Sequence, residues 1–392
     1  MQLPRGFRFG SSAAGIKPDG ALDLALIAAD QPATMAGVYT QNVVCATSID
    51  WNRKLTPSAS FRGLVINSGN ANACTGSQGQ RDNQRMAETT ASCLNADANQ
   101  IGVLSTGVIG VHLPIANVLQ SIPGMVESAG NVEADFHQAS RAIMTSDQGP
   151  KTVQRKLNLR GEFFHVAAMA KGAGMIGPNM ATMLAVICVD AFVLPETAQA
   201  MARRVADQSF NRISVEGHTS TNDAMMLLFS QQTSELSIEQ NDDLETELVS
   251  VCTELAKKIP SDGEGATHLI EVAIDGAASD AEADRIARTV AASNLVKTAV
   301  TGADPNWGRI VSAAGYCDAS IELSKTTLAI NGFVVFREGE PITFDQAVVS
   351  QSMQSEFETQ IELRVGNGDG AAIHWSSDLT TEYVRFNSEY TT

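Results

Sequence analysis

Apolar and polar positions alternate over short stretches that predict strands. FRGLVINSG and QIGVLSTG each hold an apolar run followed by glycine and small polar residues, which predicts a strand ending in a tight loop. KTVQRKLNLRGEFFHVAAMAK predicts a hairpin that turns near Arg160-Gly161. SIELSKTTLAINGFVVFREGE predicts a second hairpin at Asn331-Gly332, a pair typical of two-residue turns. IELRVGNGDGAAIHWSSD predicts a final hairpin.

Apolar positions repeat every three to four residues in the segments between these strands, which predicts helices. The predicted helices are SQGQRDNQRMAETTASCLN, PIANVLQSI, EADFHQASRAIM, PETAQAMARRVADQSF, NDDLETELVSVCTELAKKI, DAEADRIARTVAAS and FDQAVVSQSMQSEF. Because strands and helices mix in no repeating order, we expect an α+β fold, a sandwich of sheets covered by helices. No low-complexity linker separates the halves, so we expect one compact unit.

Composition and charge restrict the classes of partner. The 392 residues are 44% hydrophobic, enough for a sizeable core, and 44 acidic against 27 basic residues give a net charge of -17. This balance, without a basic cluster that contains aromatic residues, argues against a nucleic-acid partner. No apolar run reaches the roughly 18 residues that span a membrane, and MQLPRGFRFG has no signal-peptide core. We therefore expect a cytoplasmic protein with no membrane partner.

The cysteines and histidines give no metal-binding pattern. The six histidines form no HxH or HxxxH pair, and no two cysteines have CxxC spacing, so we expect no bound metal. We expect reduced, buried thiols at the six cysteines, which are Cys45, Cys74, Cys93, Cys188, Cys252 and Cys317.

The segment KGAGMIGPNMATMLAVICVDA, residues 171–191, combines a glycine-rich stretch with a long apolar run. Its GAGMIG matches the dinucleotide fingerprint GxGxxG, which would make the protein a nucleotide-binding oxidoreductase. That fingerprint needs a following helix, whereas Pro178 and a strand-like run follow here. A second interpretation is a tight loop before a buried strand, with Thr182 as an ordinary strand residue.

A third interpretation makes Thr182 a nucleophile. A threonine that becomes N-terminal can use its own α-amine as the base, so no serine–histidine–aspartate set is needed. The Thr182 hydroxyl would attack the carbonyl of Ala181, and water would cleave the resulting ester. Nearby glycines permit the strained backbone that such an attack requires. Within STGVIG, the Thr106 hydroxyl and the Gly107 N–H are candidates for an oxyanion hole, although a simple turn would have the same sequence.

Eight motifs together resemble the ornithine acetyltransferase family, the bifunctional glutamate N-acetyltransferases of arginine biosynthesis. They run in order from residue 67 to 392 and are NSGNANACTG, STGVIG, AIMTSDQGPK, AKGAGMIGPNMATMLAV, STND, SDGEGATHLIEV, KTAVTGADPNWGRI and VRFNSEYTT. The resemblance implies the layered α/β sandwich of this self-cleaving family. It also implies cleavage between Ala181 and Thr182, which gives an α chain, 1–181, and a β chain, 182–392, assembled as α2β2 or larger.

The resemblance further implies the reaction. Thr182 would take acetyl from N-acetylornithine, release ornithine, and pass the acetyl group to glutamate in a ping-pong sequence. No cofactor is needed for this exchange, and acetyl-CoA is a candidate co-substrate on which the sequence does not decide. A hydrolase of the same architecture, an N-terminal-nucleophile amidase or aminopeptidase, remains the first alternative.

Matching positions supply the implied site residues. Thr106 and Gly107 correspond to the oxyanion hole; the substrate contacts are Thr145, Lys171, Thr182, Glu264, Asn387 and Thr392. A lysine suits a substrate carboxylate, and a glutamate suits an ammonium group. The chain departs from the family pattern where Gln148 replaces a threonine and His218 replaces an acid. These two differences bear on the preferred donor and acceptor, and they keep open a related enzyme of secondary metabolism with other acyl acceptors.

Overall fold

The structure is a computed structural model that describes residues 2–177 and 183–389. Within these ranges the chain forms fifteen strands and eleven α-helices. The strands are β1 (Phe7–Ser12), β2 (Leu24–Tyr39), β3 (Ser58–Asn70), β4 (Ile101–Val108), β5 (Lys151–Leu159), β6 (Glu162–Lys171), β7 (Leu184–Val189), β8 (Ile213–Ser214), β9 (Ala224–Phe229), β10 (Leu269–Ala277), β11 (Thr327–Ile330), β12 (Phe333–Arg337), β13 (Glu340–Pro341), β14 (Glu358–Arg364) and β15 (Gly370–Ser377).

All seven predicted helices are present, and four shorter ones accompany them. The helices are α1 (Thr47–Leu55), α2 (Gly76–Leu94), α3 (Ile115–Ser128), α4 (Glu133–Ala142), α5 (Pro195–Gln208), α6 (Ile238–Ser261), α7 (Asp280–Ala292), α8 (Asn294–Thr301), α9 (Trp307–Gly315), α10 (Gln346–Ser355) and α11 (Thr381–Glu389). The four that the sequence analysis missed are α1, α8, α9 and α11, each of eight or nine residues, too short to show a clear period.

The described chain divides into two compact units. The first comprises 2–177, 183–211 and 218–259, and the second comprises 212–217 and 260–389. This differs from the single compact unit that we expected, because each part has a sheet and a hydrophobic core of its own. The division does not fall at the predicted chain boundary between Ala181 and Thr182, which lies outside the described residues and stays a prediction.

The first unit is built on an eight-stranded sheet of order β4-β3-β2-β9-β7-β6-β5, with β1 also paired to β2. Alternation along β2 places Leu24 and Leu26 in one core, which includes apolar side chains of α2 and α3. The intervening Ala25 and Ile27 lie in a second core, together with Phe136 of α4. A sheet buried on both faces between helices is the layered α+β sandwich that the sequence predicted.

The second unit contains a seven-stranded sheet of order β13-β12-β11-β14-β10-β15-β8. The hairpin between β11 and β12 turns at Asn331-Gly332 as predicted, with positive φ angles of 48° and 78° at these two residues. The first-unit hairpin of β5 and β6 likewise turns at Arg160-Gly161.

The prediction of a final hairpin is wrong. Strands β14 and β15 do not pair with each other, because β10 lies between them, parallel to β14 and antiparallel to β15. The connecting glycines cross the end of β10: the Gly368 amide donates to the carbonyl of Gly276, and the Val365 amide donates to that of Asp275. A Cβ on Gly368 would overlap the carbonyl of Ala277, so the glycine permits this close crossing. The run that resembled a turn is therefore a crossover.

Two further features concern the chemistry of the described residues. No helix among them is long and apolar enough to cross a membrane, and no three of their histidines, cysteines and acids form a metal-binding group. All six cysteines are free thiols. Cys188 and Cys252 are buried, and burial raises the pKa of both thiols, whereas Cys74 is exposed, so the expectation that all were buried is wrong.

Candidate active site

The glycine run connects two neighbouring strands of the first sheet. Strands β6 and β7 are antiparallel, and their pairing ends with Lys171 opposite Leu184. The next described element after the run is therefore a strand, whereas a dinucleotide fingerprint requires a helix at that position. Ala181 and Thr182 belong to this connection and lie outside the described residues.

Thr106 and Gly107 lie near the end of β4, beside the end of the parallel strand β3. Gly107 is paired with Gly69 and has a φ of 133°, a conformation that other residues rarely adopt. A Cβ at Gly107 would overlap the carbonyl carbon of Gly69 and the amide nitrogen of Asn70. The two strand ends thus meet at a distance that only glycine allows, and the Thr106–Gly107 backbone is fixed against its neighbour.

The asparagine-rich loop after β3 supports this strand end, a role that the sequence analysis did not assign. Asn70 donates through Nδ2 to the carbonyl of Val111 at 3.0 Å. Buried Asn222, from the STND motif, donates through Nδ2 to the carbonyls of both Ala71 and Ser105 at 2.7 Å. One side-chain amide therefore joins the loop to the strand just before Thr106. The signal in the sequence that could have indicated this role was the presence of asparagines in two separate motifs, NSGNANACTG and STND.

Lys171 contacts the candidate oxyanion hole directly. Its Nζ donates to Thr106 Oγ1 at 3.2 Å, and the two residues are only 2% and 3% exposed. An ammonium group has three donors and no acceptor, so the Thr106 oxygen accepts here and its own proton must point elsewhere. The Thr106 hydroxyl is thereby set up as a donor to another group.

Asp147 links Lys171 to the Thr145 loop. Its Oδ2 accepts from the Thr145 amide at 2.9 Å, while its Oδ1 accepts from the Gly172 amide at 2.6 Å and from Lys151 Nζ at 2.7 Å. Burial opposes ionisation of this carboxyl, but the Lys171 and Lys151 ammonium groups outweigh it and hold its pKa below the usual range. The structure thus brings Thr145 and Lys171 together through an acid that sequence reasoning missed.

Asp223 holds the first described residue after Thr182. The Met183 amide donates to Asp223 Oδ1, and the Ala224 amide donates to the Met183 carbonyl, both at 3.1 Å. Burial raises the pKa of Asp223 well above its usual range, and neither the Met183 amide nor the nearby Lys171 ammonium offsets this. The raised pKa favours the neutral form of this carboxyl group, which holds the chain beside the candidate nucleophile.

The second unit holds the other two described candidates. Asn387 of α11 donates through Nδ2 to Glu264 Oε2 at 3.0 Å, so these two residues lie together. Glu264 is half-buried, and burial together with the Glu216 and Glu264 carboxylates raises the pKa of Tyr383 to about 12. Thr392 lies outside the described residues.

The structure also describes four further residues that are connected with the family resemblance, two of them from the motif KTAVTGADPNWGRI. Gln148 and His218, the two departures from the family pattern, are both exposed. Trp307 stacks on Phe336 with ring centroids 5.0 Å apart. Arg309 donates to backbone and hydroxyl oxygens of α8. Trp307 therefore has a packing role, and Arg309 anchors its helix to α8.

Comparison with known proteins decides the family. Residues 8–392 match the sequence profile of the ArgJ family. The chain belongs to the ArgJ family. It is 47% identical over 395 aligned residues to the arginine biosynthesis bifunctional protein ArgJ of Rhodopirellula baltica, covering 100% of this chain and 96% of that protein. The ArgJ protein of Gloeobacter violaceus is 41% identical over 394 residues, with 99% and 97% covered.

A solved structure agrees with this assignment. The crystal structure of the arginine biosynthesis bifunctional protein ArgJ from Bacillus halodurans superposes with a TM-score of 0.50 at 36% identity. The match covers 51% of this chain and 96% of that one. The family that the motifs suggested is therefore confirmed by full-length relatives and by fold.

Proposed function

We propose that this ArgJ-family protein is an autoprocessed acyltransferase that moves acetyl from N-acetylornithine to glutamate through an ester on Thr182. The observation that carries the proposal is the buried Lys171–Thr106 hydrogen bond beside Gly107. In this bond the Thr106 oxygen accepts from Lys171, so the Thr106 hydroxyl can donate to another group. The full-length relatives of the chain are named arginine biosynthesis proteins.

Autoprocessing comes first in this mechanism. The Thr182 oxygen attacks the Ala181 carbonyl carbon, the peptide C–N bond breaks, and the acyl group moves to the Thr182 oxygen as an ester. The hydroxyl proton passes to the departing nitrogen, which becomes the free α-amine of Thr182. Water then hydrolyses the ester, which frees the Thr182 hydroxyl and leaves a carboxylate on Ala181. Asp223 accepts from the Met183 amide and so holds the backbone on the C-terminal side of the bond that is cleaved. The new α-amine supplies the base that the site otherwise lacks.

Acetyl transfer then follows in two halves. The α-amine takes the hydroxyl proton while the Thr182 oxygen attacks the acetyl carbonyl of N-acetylornithine. The Thr106 hydroxyl and the Gly107 N–H stabilise the oxyanion, and the proton passes to the departing ornithine nitrogen as its C–N bond breaks. The amine of glutamate next attacks the acetyl ester, and N-acetylglutamate leaves with the Thr182 hydroxyl restored.

Two further roles are assigned to charged residues. The Lys171 ammonium provides positive charge beside the oxyanion site, where it also suits a substrate carboxylate. In the second unit, the Glu264 carboxylate, oriented by Asn387, suits the ammonium group of ornithine. Thr145 and Thr392 complete the proposed set of substrate contacts.

Assembly, location and a second activity belong to the same proposal. We infer an α2β2 assembly in the cytoplasm. We also infer acetyl-CoA as a second acetyl donor, since the relatives are named bifunctional. Native mass measurement tests the assembly. Glutamate-dependent release of free CoA from acetyl-CoA tests the second donor.

The experiment for the main proposal has two readouts. Intact mass under denaturing conditions should give two fragments, the second starting at Thr182, and Thr182→Ala should remain one chain and lose transfer activity. The processed protein should release ornithine from N-acetylornithine in continuous turnover only when glutamate is present. Equal continuous release without glutamate would instead identify an amidase, and an uncleaved, active protein would overturn the Thr182 mechanism.

A further inference from the structure

Asp147 is a buried carboxylate to which the reaction described above gives no role. Its side chain is fully buried, and its two oxygens accept from three donors on three different segments. Those donors belong to Thr145, to Lys151 at the start of β5, and to Gly172 directly after β6. A buried acid that joins two candidate substrate contacts is more than an ordinary loop residue.

The charges around Asp147 come from several packed segments. The Lys171 and Lys151 ammonium groups act on its carboxylate most strongly, and Lys17, from the segment before β2, also interacts with both Asp147 and Lys171. Asp223, before β9, also interacts with Lys171, and burial raises the pKa of its carboxyl group well above the usual range. Asp23 and Asp19 act on Lys17 as well, whereas Asp147 is a carboxylate that interacts with all three lysines.

We propose that Asp147 is a positioning residue that keeps Lys171 in its ammonium form against Thr106 and so directs the Thr106 hydroxyl proton to the substrate oxygen. This inference rests on the proposed acyl transfer. It assigns Asp147 no contact with the substrate. Its action passes through Lys171, whose neighbouring amide it binds at Gly172.

The protonation state of Lys171 decides which way the Thr106 proton points. As an ammonium, Lys171 can only donate to Thr106 Oγ1, and the hydroxyl proton is left for the oxyanion. A neutral amine has a lone pair and can accept that proton instead. Loss of the Lys171 charge would therefore remove one of the two oxyanion donors, a change that typically costs about 10²–10³-fold in rate.

Removing the Asp147 charge should make Lys171 lose its proton more easily. Like charges disfavour ionisation, and Lys171 would then lie near Lys151 and Lys17 without the carboxylate of Asp147 to offset their charges. Asp147→Asn keeps the side-chain shape and one acceptor oxygen, so it tests the charge more than the packing. The step to measure is the burst of ornithine when processed enzyme is mixed with N-acetylornithine alone, because no acceptor amine titrates there.

The expected result is a shift in the pH profile of the burst rate. In Asp147→Asn the fall at high pH should begin at least about one unit lower than in the wild type, with activity near pH 6.5 retained within a few-fold. The double variant Asp147→Asn/Lys151→Met also removes the neighbouring Lys151 cation. Its burst rate should begin to fall at a pH between that of Asp147→Asn and that of the wild type. If Asp147→Asn does not fold, Lys151→Met alone serves, and its fall should move to higher pH.

Other outcomes would overturn the inference. A burst rate lowered by the same factor at every pH, or a profile identical to that of the wild type, would show that Asp147 does not act through the charge of Lys171. An unchanged profile in Lys151→Met would do the same. Absence of any burst in the wild-type protein would instead reject the proposed acyl transfer, so the two failures are distinguishable.

Discussion

The backbone amide of Met183 donates to Oδ1 of Asp223 at 3.1 Å, one residue after the candidate nucleophile Thr182. Asp223→Ala removes this acceptor and leaves a buried N–H without a partner, which costs about 1–3 kcal/mol. Because this hydrogen bond holds the backbone next to the bond that is cleaved, processing should slow by about tenfold or more. The measurement is the fraction of uncleaved chain, by intact mass, at intervals after synthesis.

Asp223→Asn is the matched control for this prediction. Its amide oxygen can still accept from Met183, and asparagine resembles the neutral form that the raised pKa of Asp223 favours, so processing should stay within a few-fold of the wild-type rate. Equal rates for the alanine variant and the wild type would show that the hydrogen bond does not position the scissile bond.

The raised pKa of Asp223 also predicts a pH dependence of stability. In the unfolded chain this carboxyl ionises above about pH 3.9, whereas in the folded protein burial raises its pKa well above that value. The folded form therefore loses stability as pH rises from that value toward the raised pKa, by up to about 1.4 kcal/mol per pH unit. An asparagine at this position cannot ionise, so Asp223→Asn should gain in melting temperature relative to the wild type as the pH rises above about 4. Parallel melting curves at all pH values would contradict an elevated pKa.

Thr106 provides a test of the oxyanion hole. Thr106→Val keeps the shape but removes the hydroxyl, so the burst of ornithine should slow about 10²–10³-fold. Thr106→Ser retains the oxygen that accepts from Lys171, and its activity should remain within about tenfold of the wild type. Wild-type rates in the valine variant would exclude the hydroxyl as a donor to the oxyanion.

Glu264 tests the proposed contact with the substrate's ammonium group. Glu264→Gln removes the carboxylate that Asn387 contacts, and a hydrogen bond to a charged group contributes about 1.5–3 kcal/mol. KM for N-acetylornithine should therefore rise by about 10-fold or more, with processing unchanged. Glu340→Gln, at an exposed position of β13, is the control and should leave KM unaffected. An unaltered KM in Glu264→Gln would remove this residue from the substrate site.

The sequence predicted local structure well and strand order poorly. Asn331-Gly332 and Arg160-Gly161 gave correct hairpin turns because the preference for positive φ is a property of the residues themselves. The glycines between β14 and β15 have the same composition as a turn, but β10, far away in sequence, takes the place between the two strands. No pattern in the local sequence predicts that a distant strand lies between these two.

The candidate site shows the same limit. Thr106, Lys171 and Glu264 became candidates through the motifs that carry the family resemblance. Asp147 and Asn222 act by orienting other groups, and their roles depend on donors from distant segments. Their contacts become visible only when the strands that carry those donors are brought together.

Gly107 gives the sharpest test of the backbone around the site. A methyl group there would overlap Gly69 and Asn70 on β3, and the φ of 133° is unfavourable for any side chain. Gly107→Ala must therefore separate β3 from β4 near Thr106, and it should lower the free energy of unfolding by about 2 kcal/mol or more and abolish the ornithine burst. Gly124→Ala is the control, because that helical glycine has an ordinary φ and open space around it, and alanine favours helices by up to about 1 kcal/mol. Thermal unfolding of both variants beside the wild type decides the matter: a Gly107→Ala protein as stable and active as Gly124→Ala would mean that the two strand ends do not meet as described.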